Sequence, residues 1–274
     1  MTRLAEERFR IVTGTAFGQH DLSWIRSRAP EDGSVHLADV TSGLVCLGLW
    51  GPRARDILQP LTTADLSTEA FPYMRARHIA VGPVPCLALR VTYVGELGWE
   101  MYAPTEFGLA LWDALWTAGA PFGMVAGGYR AIDSMRLEKG YRVWGADITP
   151  DDTPYQAGLG FAVQLDKTDS FVGRDALVRT EEEIPDRRLA CMVLEDPRSV
   201  ALGEEPIRSE GRVVGRVTSG GLGYTVGRSI AYGYLPSAAC VPGRPIEVEI
   251  FGRWVGGTVA EEPLFDPKGE RIRA

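Results

Sequence analysis

The sequence predicts an α+β chain that ends in an all-β region. Three observations carry that reading. Helical and strand patterns alternate through about residue 180, a charged run stands at 179–188, and only short strand-like segments follow it. The chain has 274 residues, 45% of them hydrophobic and 24% charged, which is ordinary globular usage with enough apolar side chains for a sizeable core. At roughly 100–200 residues per domain, that length predicts two domains with room for part of a third.

The elements follow in order. Residues 8–14 alternate like a strand, with no partner expected before it, and Gln19–Arg28 reads as a helix with Leu22 and Ile25 on one side. Val35–Val40 and Val45–Trp50 read as strands around the turn Thr41-Ser42-Gly43, and Pro52 introduces a short helix at Ala54–Leu58. Residues 77–103 read as two or three antiparallel strands, with Gly95 and Gly98 marking the turn before Trp99–Tyr102. Phe107–Trp116 is an apolar helix with Phe107, Leu111 and Leu115 at spacing four. A second helix over about Gly128–Lys139 stops at Gly140, a good C′ residue. The Gly-, Pro- and Asp-rich segment 141–161 reads as a long ordered loop, a common place for function. The run RTEEEIPDRR reads as a solvated linker. Beyond it, Arg188–Glu195, Arg212–Ser219, Ile230–Leu235, Ile246–Phe251 and Trp254–Ala260 are strand-like, which predicts a small barrel or sandwich.

Composition excludes several functions. Acidic residues outnumber basic ones by 36 to 29, for a formal charge of -7, which argues against a broad nucleic-acid footprint. No run of apolar residues is long enough to span a membrane, and the N-terminus has no secretory h-region. Cys46, Cys86, Cys191 and Cys240 are far apart and His20, His36 and His78 are scattered, so no metal site is expected. Wide cysteine spacing predicts reduced thiols and a cytoplasmic protein.

Three clusters carry candidate chemistry. In RVTYVGELGWEMY (90–102), Tyr93 and Glu100 flank a glycine-rich turn. Tyrosine offers a stacking face and a hydroxyl, and glutamate can accept two in-plane N–H donors such as an aminopyrimidine presents. The competing reading is a solvent-facing hairpin with a core tyrosine. In YRAIDSMRLEKGYRVWGADI (129–148), Asp133, Arg136 and Glu138 lie near one helix end, where surface pairing is the plain reading. In TPYQAGLGFAVQLDK (153–167), Tyr155 or Phe161 can stack on a planar ligand or fill the core. No nucleophile elbow or phosphate loop is present, and GGLGYTVG (220–227) lacks the strand–helix context of a dinucleotide site.

Taken in this order, YVGELGWE, RLEKGYRVWGADI and TPYQAGLGFAVQLDK followed by FVGRDAL resemble the aminomethyltransferase (glycine cleavage T-protein) family along essentially the whole chain. They most resemble the folate-binding C-terminal region of dimethylglycine and sarcosine dehydrogenases and oxidases, as does the closing VAEEPLFDPKGERIRA. The resemblance implies a T-protein-like cloverleaf, here partial: residues 1–65 as the remnant of one α+β domain, 66–180 as the second half of the folate-binding domain, and 188–274 as an antiparallel β-barrel. It implies transfer of a one-carbon unit, as an aminomethyl or iminium species, to tetrahydrofolate. The product is 5,10-methylenetetrahydrofolate. Tyr93 matches the family's pocket tyrosine, Glu100 the glutamate that grips the pterin edge, and Phe161 a stacking aromatic, so the three are expected to line one cavity. Ile132 stands where T-proteins carry a pocket arginine, and Arg136 matches an arginine read as structural.

The resemblance also implies that a segment normally precedes Phe9–Thr13 and carries an aspartate that positions folate. Met-Thr-Arg-Leu stands where the branch has V-T-R-L, so an N-terminal truncation or a late-assigned start is expected. None of Asp21, Asp39 or Asp56 takes that aspartate's place, and the catalytic residues stay unassigned. Weak folate binding and a bare strand edge at Phe9–Thr13 are the expected consequences. The alternatives are an inactive folate-binding or partner module and a folate-dependent demethylase. A related iron–sulphur assembly group is set aside because KGYRVWGAD lacks its cysteine. With no flavin fingerprint here, amine oxidation is assigned to an upstream flavin oxidoreductase domain or subunit.

Overall fold

In the computed structural model, which describes residues 1–181 and 185–274, the first strand has a partner. Strand β1 (Thr2–Ala5) pairs antiparallel with β2 (Arg8–Arg10), placing Arg3 opposite Phe9. The edge expected to be bare is therefore covered as far as Arg10, and Ile11–Thr13 are not strand. Helix α1 (Gly18–Arg26) follows as expected. Val35–Val40 is not a strand. At its end the chain turns: the Thr41 N–H donates to the Asp39 carboxylate at 2.9 Å and the Gly43 N–H to the Val40 carbonyl at 3.1 Å.

Strand β3 (Leu44–Trp50) and helix α2 (Ala54–Leu58) lead into β4 (Ala76–Val81), β5 (Val84–Leu89) and β6 (Gly98–Pro104). The four strands form one antiparallel sheet in the order β3-β6-β5-β4. Helix α3 (Gly108–Gly119) buries Leu111 and Leu115 in the same core as Leu58, Phe71, Trp99 and Met101. Strand alternation sends Trp99 and Met101 to this core and leaves Glu100 and Tyr102 on the opposite face. These elements belong to a unit made of Met1–Thr92, Glu96–Val125 and Arg271–Ala274.

The second unit comprises Tyr93–Gly95 and Ala126–Glu270. Helix α4 (Tyr129–Glu138) ends in a Schellman motif. Gly140 has φ +73° and donates to the Leu137 carbonyl, while the Tyr141 N–H reaches the Arg136 carbonyl at 2.9 Å. Tyr141–Leu159 contains neither helix nor strand beyond one isolated bridge, as the loop reading expects. The charged run is only partly linker: helix α5 (Arg174–Glu181) includes its start, residues 182–184 lie outside the described residues, and Arg187 opens the next strand.

The C-terminal region is a closed six-stranded antiparallel barrel. Strands β7 (Arg187–Leu194), β8 (Pro206–Ser209), β9 (Arg212–Gly223), β10 (Arg228–Pro236), β11 (Pro245–Ile250) and β12 (Arg253–Ala260) close in the order β10-β7-β12-β11-β8-β9. Met192, Ile207, Val217, Ala231, Leu235 and Val248 fill it and are fully buried. Strand β8 escapes the sequence pattern because it has four residues and begins with proline.

Candidate functional site

Tyr93 stands in the loop after β5. Its ring stacks on Tyr141 with centroids 5.7 Å apart and planes 16° from parallel, and its hydroxyl donates to the Arg142 carbonyl at 2.7 Å. One face and one end of the tyrosine are thus pinned by the segment after α4. Burial pushes its phenol up, so the hydroxyl remains a donor at neutral pH. Beside it opens a cleft of about 340 Å³ lined by Tyr93, Tyr129, Arg130, Ile132 and Asp133. The last four come from α4. Tyr129 is 88% exposed, and Arg130 forms no ion pair among the described residues. The cleft offers aromatic surface, an aliphatic wall at Ile132 and one uncommitted cation, which suits a planar ligand with an anionic group.

Glu100 belongs to the first unit, on the sheet face away from the core. It is half-buried and lies opposite Gly48 on β3 and Leu89 on β5. Tyr102, two residues along, donates its hydroxyl to Glu100 Oε2 at 2.7 Å. Burial first, and the Glu100 acceptor second, push the Tyr102 phenol up. The solvent-facing reading of this segment is therefore too simple, since the carboxylate has a fixed protein partner. Phe161, in a single 3₁₀ turn at Gly160–Ala162, is 83% exposed, so it is not a core residue. It does not line the Tyr93 cleft.

The RLEKG segment is not surface pairing. Arg136 and Glu138 are buried. Arg136 donates to Asp133 at 2.7 Å and to Asp147 at 2.8 Å. Asp147 also accepts from Thr218 and Ser219 on β9, both at 2.6 Å, and from the Val143 N–H at 3.0 Å. Glu138 accepts the Thr225 and Val226 N–H groups at 2.6 and 2.9 Å, and Ser134 donates to the Leu222 carbonyl. One side of α4 is thereby bonded to the barrel while its first turn lines the cleft. The loop that holds Tyr93 is fixed by the same network, because Asp147 anchors its far end. No motif or spacing in the sequence marks Tyr129, Arg130, Tyr141 or Asp147 as site-forming residues. The alternation of Glu100 and Tyr102 on one strand face was the available signal for Tyr102. Among the described residues no cluster of His, Cys, Asp or Glu is arranged to hold a metal ion, and no helix is long and apolar enough to cross a membrane.

Comparison with known proteins matches both parts of the chain. Residues 1–167 match the GCVT N-terminal domain, and residues 187–266 match the glycine cleavage T-protein C-terminal barrel domain. The chain is 38% identical to 4-methylaminobutanoate oxidase (formaldehyde-forming) of Paenarthrobacter nicotinovorans, over all of this chain and 33% of that protein. It is 37% identical to mitochondrial dimethylglycine dehydrogenase of Homo sapiens, over 97% of this chain and 31% of that one. It therefore spans about a third of these two relatives. An aminomethyltransferase of Symbiobacterium thermophilum is 38% identical over 96% of this chain and 71% of its own length. Among solved structures, the glycine cleavage system aminomethyltransferase T from Bartonella henselae superposes with a TM-score of 0.78 at 28% identity. That match covers 92% of this chain and 67% of that one. With both family domains matched in order, and an aminomethyltransferase relative 38% identical over 96% of this chain and 71% of its own length, the chain belongs to the aminomethyltransferase (glycine cleavage T-protein) family.

Proposed function

We propose that this chain binds tetrahydrofolate and passes to it a one-carbon unit from an amine, giving 5,10-methylenetetrahydrofolate. The observation that carries this reading is the setting of Tyr93. The residue matching the family's pocket tyrosine is stacked on one face, tied at its hydroxyl, and open to a cleft near the lower end of the ~300–1,000 Å³ usual for small ligands. Tyr93 provides a surface for the pterin ring, Glu100 accepts its paired N–H donors, and Phe161 adds an aromatic face from the loop. Arg130 offers a cation for the carboxylates of the folate tail. Tetrahydrofolate supplies N5 and N10, which both bond to the incoming carbon; each nitrogen loses a proton, one leaving on the released amine and one to solvent. The residues named here bind and orient, and none is assigned that proton.

The amine donor reaches the site as an aminomethyl or iminium species. The relatives named as an oxidase and a dehydrogenase support a flavin oxidoreductase domain or subunit as the partner that generates it. The same reading places the protein in the cytoplasm on its cysteine spacing, and fractionation is needed because the human relative is named mitochondrial. Calorimetric titration with tetrahydrofolate, beside an assay of methylenetetrahydrofolate formation from an enzymatically generated iminium, tests the proposal. Tyr93→Ala is expected to weaken binding by about five- to 150-fold, in line with ~1–3 kcal/mol for a stacked aromatic. Binding without transfer would favour the inactive module, and transfer only from a sulfur or oxygen methyl donor the demethylase. No binding would overturn the folate reading.

A further inference from the structure

Glu100 has a defined neighbour on each side. Tyr102 donates to its Oε2 at 2.7 Å, and Leu89 stands opposite on β5. On β3 the opposite residue is Gly48, and Trp50 faces Gly98. A β-carbon on Gly48 would run into the six-membered ring of the Trp50 indole, and one on Gly98 into the Leu49 carbonyl first and the indole's edge next, so the ring lies along the sheet over Gly48. The indole is held there by its Nε1–H, which donates to the Val91 carbonyl at 3.0 Å. Tyr102 is itself clamped. It is 9% exposed and packs with Leu4, Leu87 and Leu89, and the Arg10 guanidinium sits 5.4 Å from its ring centroid. The N-terminal hairpin, through Leu4 and Arg10, thus helps set where the Tyr102 hydroxyl points.

The geometry points to Tyr102 as the positioning residue for Glu100, holding its carboxylate beside the Trp50 indole to receive the paired N–H donors of an aminopyrimidine edge. An untethered glutamate gives up rotamer freedom when it binds, whereas this one is already ordered by a clamped donor. The Oε2 atom keeps a lone pair after accepting from Tyr102, and Oε1 keeps both of its own, so two ligand N–H groups can still be met. This inference rests on the folate reading and specifies how that site reads the pterin.

The test compares two ligands on the full chain, tetrahydrofolate and its 2-desamino-2-methyl analogue, which lacks the exocyclic donor. Tyr102→Phe is expected to weaken tetrahydrofolate about tenfold, the size of one hydrogen bond to a charged group, and to weaken the analogue, which keeps only the ring N–H for Glu100, by clearly less. Circular dichroism melting of the variant shows that it is folded. Equal weakening of both ligands would make Tyr102 merely structural and overturn the inference. So would unchanged tetrahydrofolate binding by Tyr102→Phe when Glu100→Ala weakens it, an outcome that leaves the folate reading standing. Failure of the unaltered chain to bind tetrahydrofolate would remove that reading and this inference with it.

Discussion

Asp147 shows how a single buried charge organises its surroundings. Its carboxylate accepts from Arg136, Thr218, Ser219 and the Val143 backbone, which satisfies it without solvent. Asp147→Ala would leave the buried Arg136 without that partner, and a loss of about 3–5 kcal/mol in urea unfolding is expected. The cysteines differ sharply as residues. Cys46 is exposed as a residue, although partial burial of its thiol raises it too, whereas burial pushes Cys86 up to about 11 and Cys191 up to about 12. At pH 8 iodoacetamide is therefore expected to label Cys46, which it can reach, faster than the buried Cys86 and Cys191. Peptide mapping should find Cys86 and Cys191 unmodified until denaturant is added.

At the scale of elements, β3 and β6 make a surface as well as a core. Their inward residues pack against α3, while the outward row carries Glu100 and Tyr102 and the indole of Trp50. Gly48→Ala would force that indole off the sheet. An overpacking cost of about 1–3 kcal/mol is expected, together with weaker tetrahydrofolate binding; thermal melting and titration measure the two effects. Helix α4 has a similar double use. Ser134, Arg136 and Glu138 bond it to the barrel, and Tyr129, Arg130, Ile132 and Asp133 line the cleft. The periodicity of α4 and its glycine stop are legible in the sequence. The distant partners of its charged residues are not, because Ser219 on β9 and Thr225 just beyond that strand lie more than 80 positions away.

Across the whole chain, several buried acids titrate late. Burial raises Cys86 and Cys191 as above, and likewise Tyr102, Tyr232 and Tyr234. For these groups the unfolded chain loses its proton first, so their contribution to stability is present at neutral pH and declines as pH rises above the ordinary thiol value of 9. Melting temperature is therefore expected to fall steadily between pH 9 and about 12, and scanning calorimetry across that range checks it. A flat profile would mean that these groups are reached by water. The barrel that holds three of them closes without an edge strand, since β8 completes the ring between β9 and β11.

Element type and order follow from the sequence alone wherever periodicity is strong: α3, α4, five of the six barrel strands and the long loop after Gly140 all stand where the pattern puts them. The family's motifs are equally local, so Tyr93, Glu100 and Phe161 can be named before any coordinates are known. Tertiary structure decides what each of these residues does. It pairs β2 with β1, denies Val35–Val40 a strand, and buries Arg136 and Glu138 against the barrel. It also stacks Tyr93 on Tyr141 and aims Tyr102 at Glu100. The physical reason is common to all five. Propensity and periodicity are properties of neighbouring residues, whereas burial, hydrogen-bond satisfaction and ring stacking depend on which distant segment occupies the adjoining space.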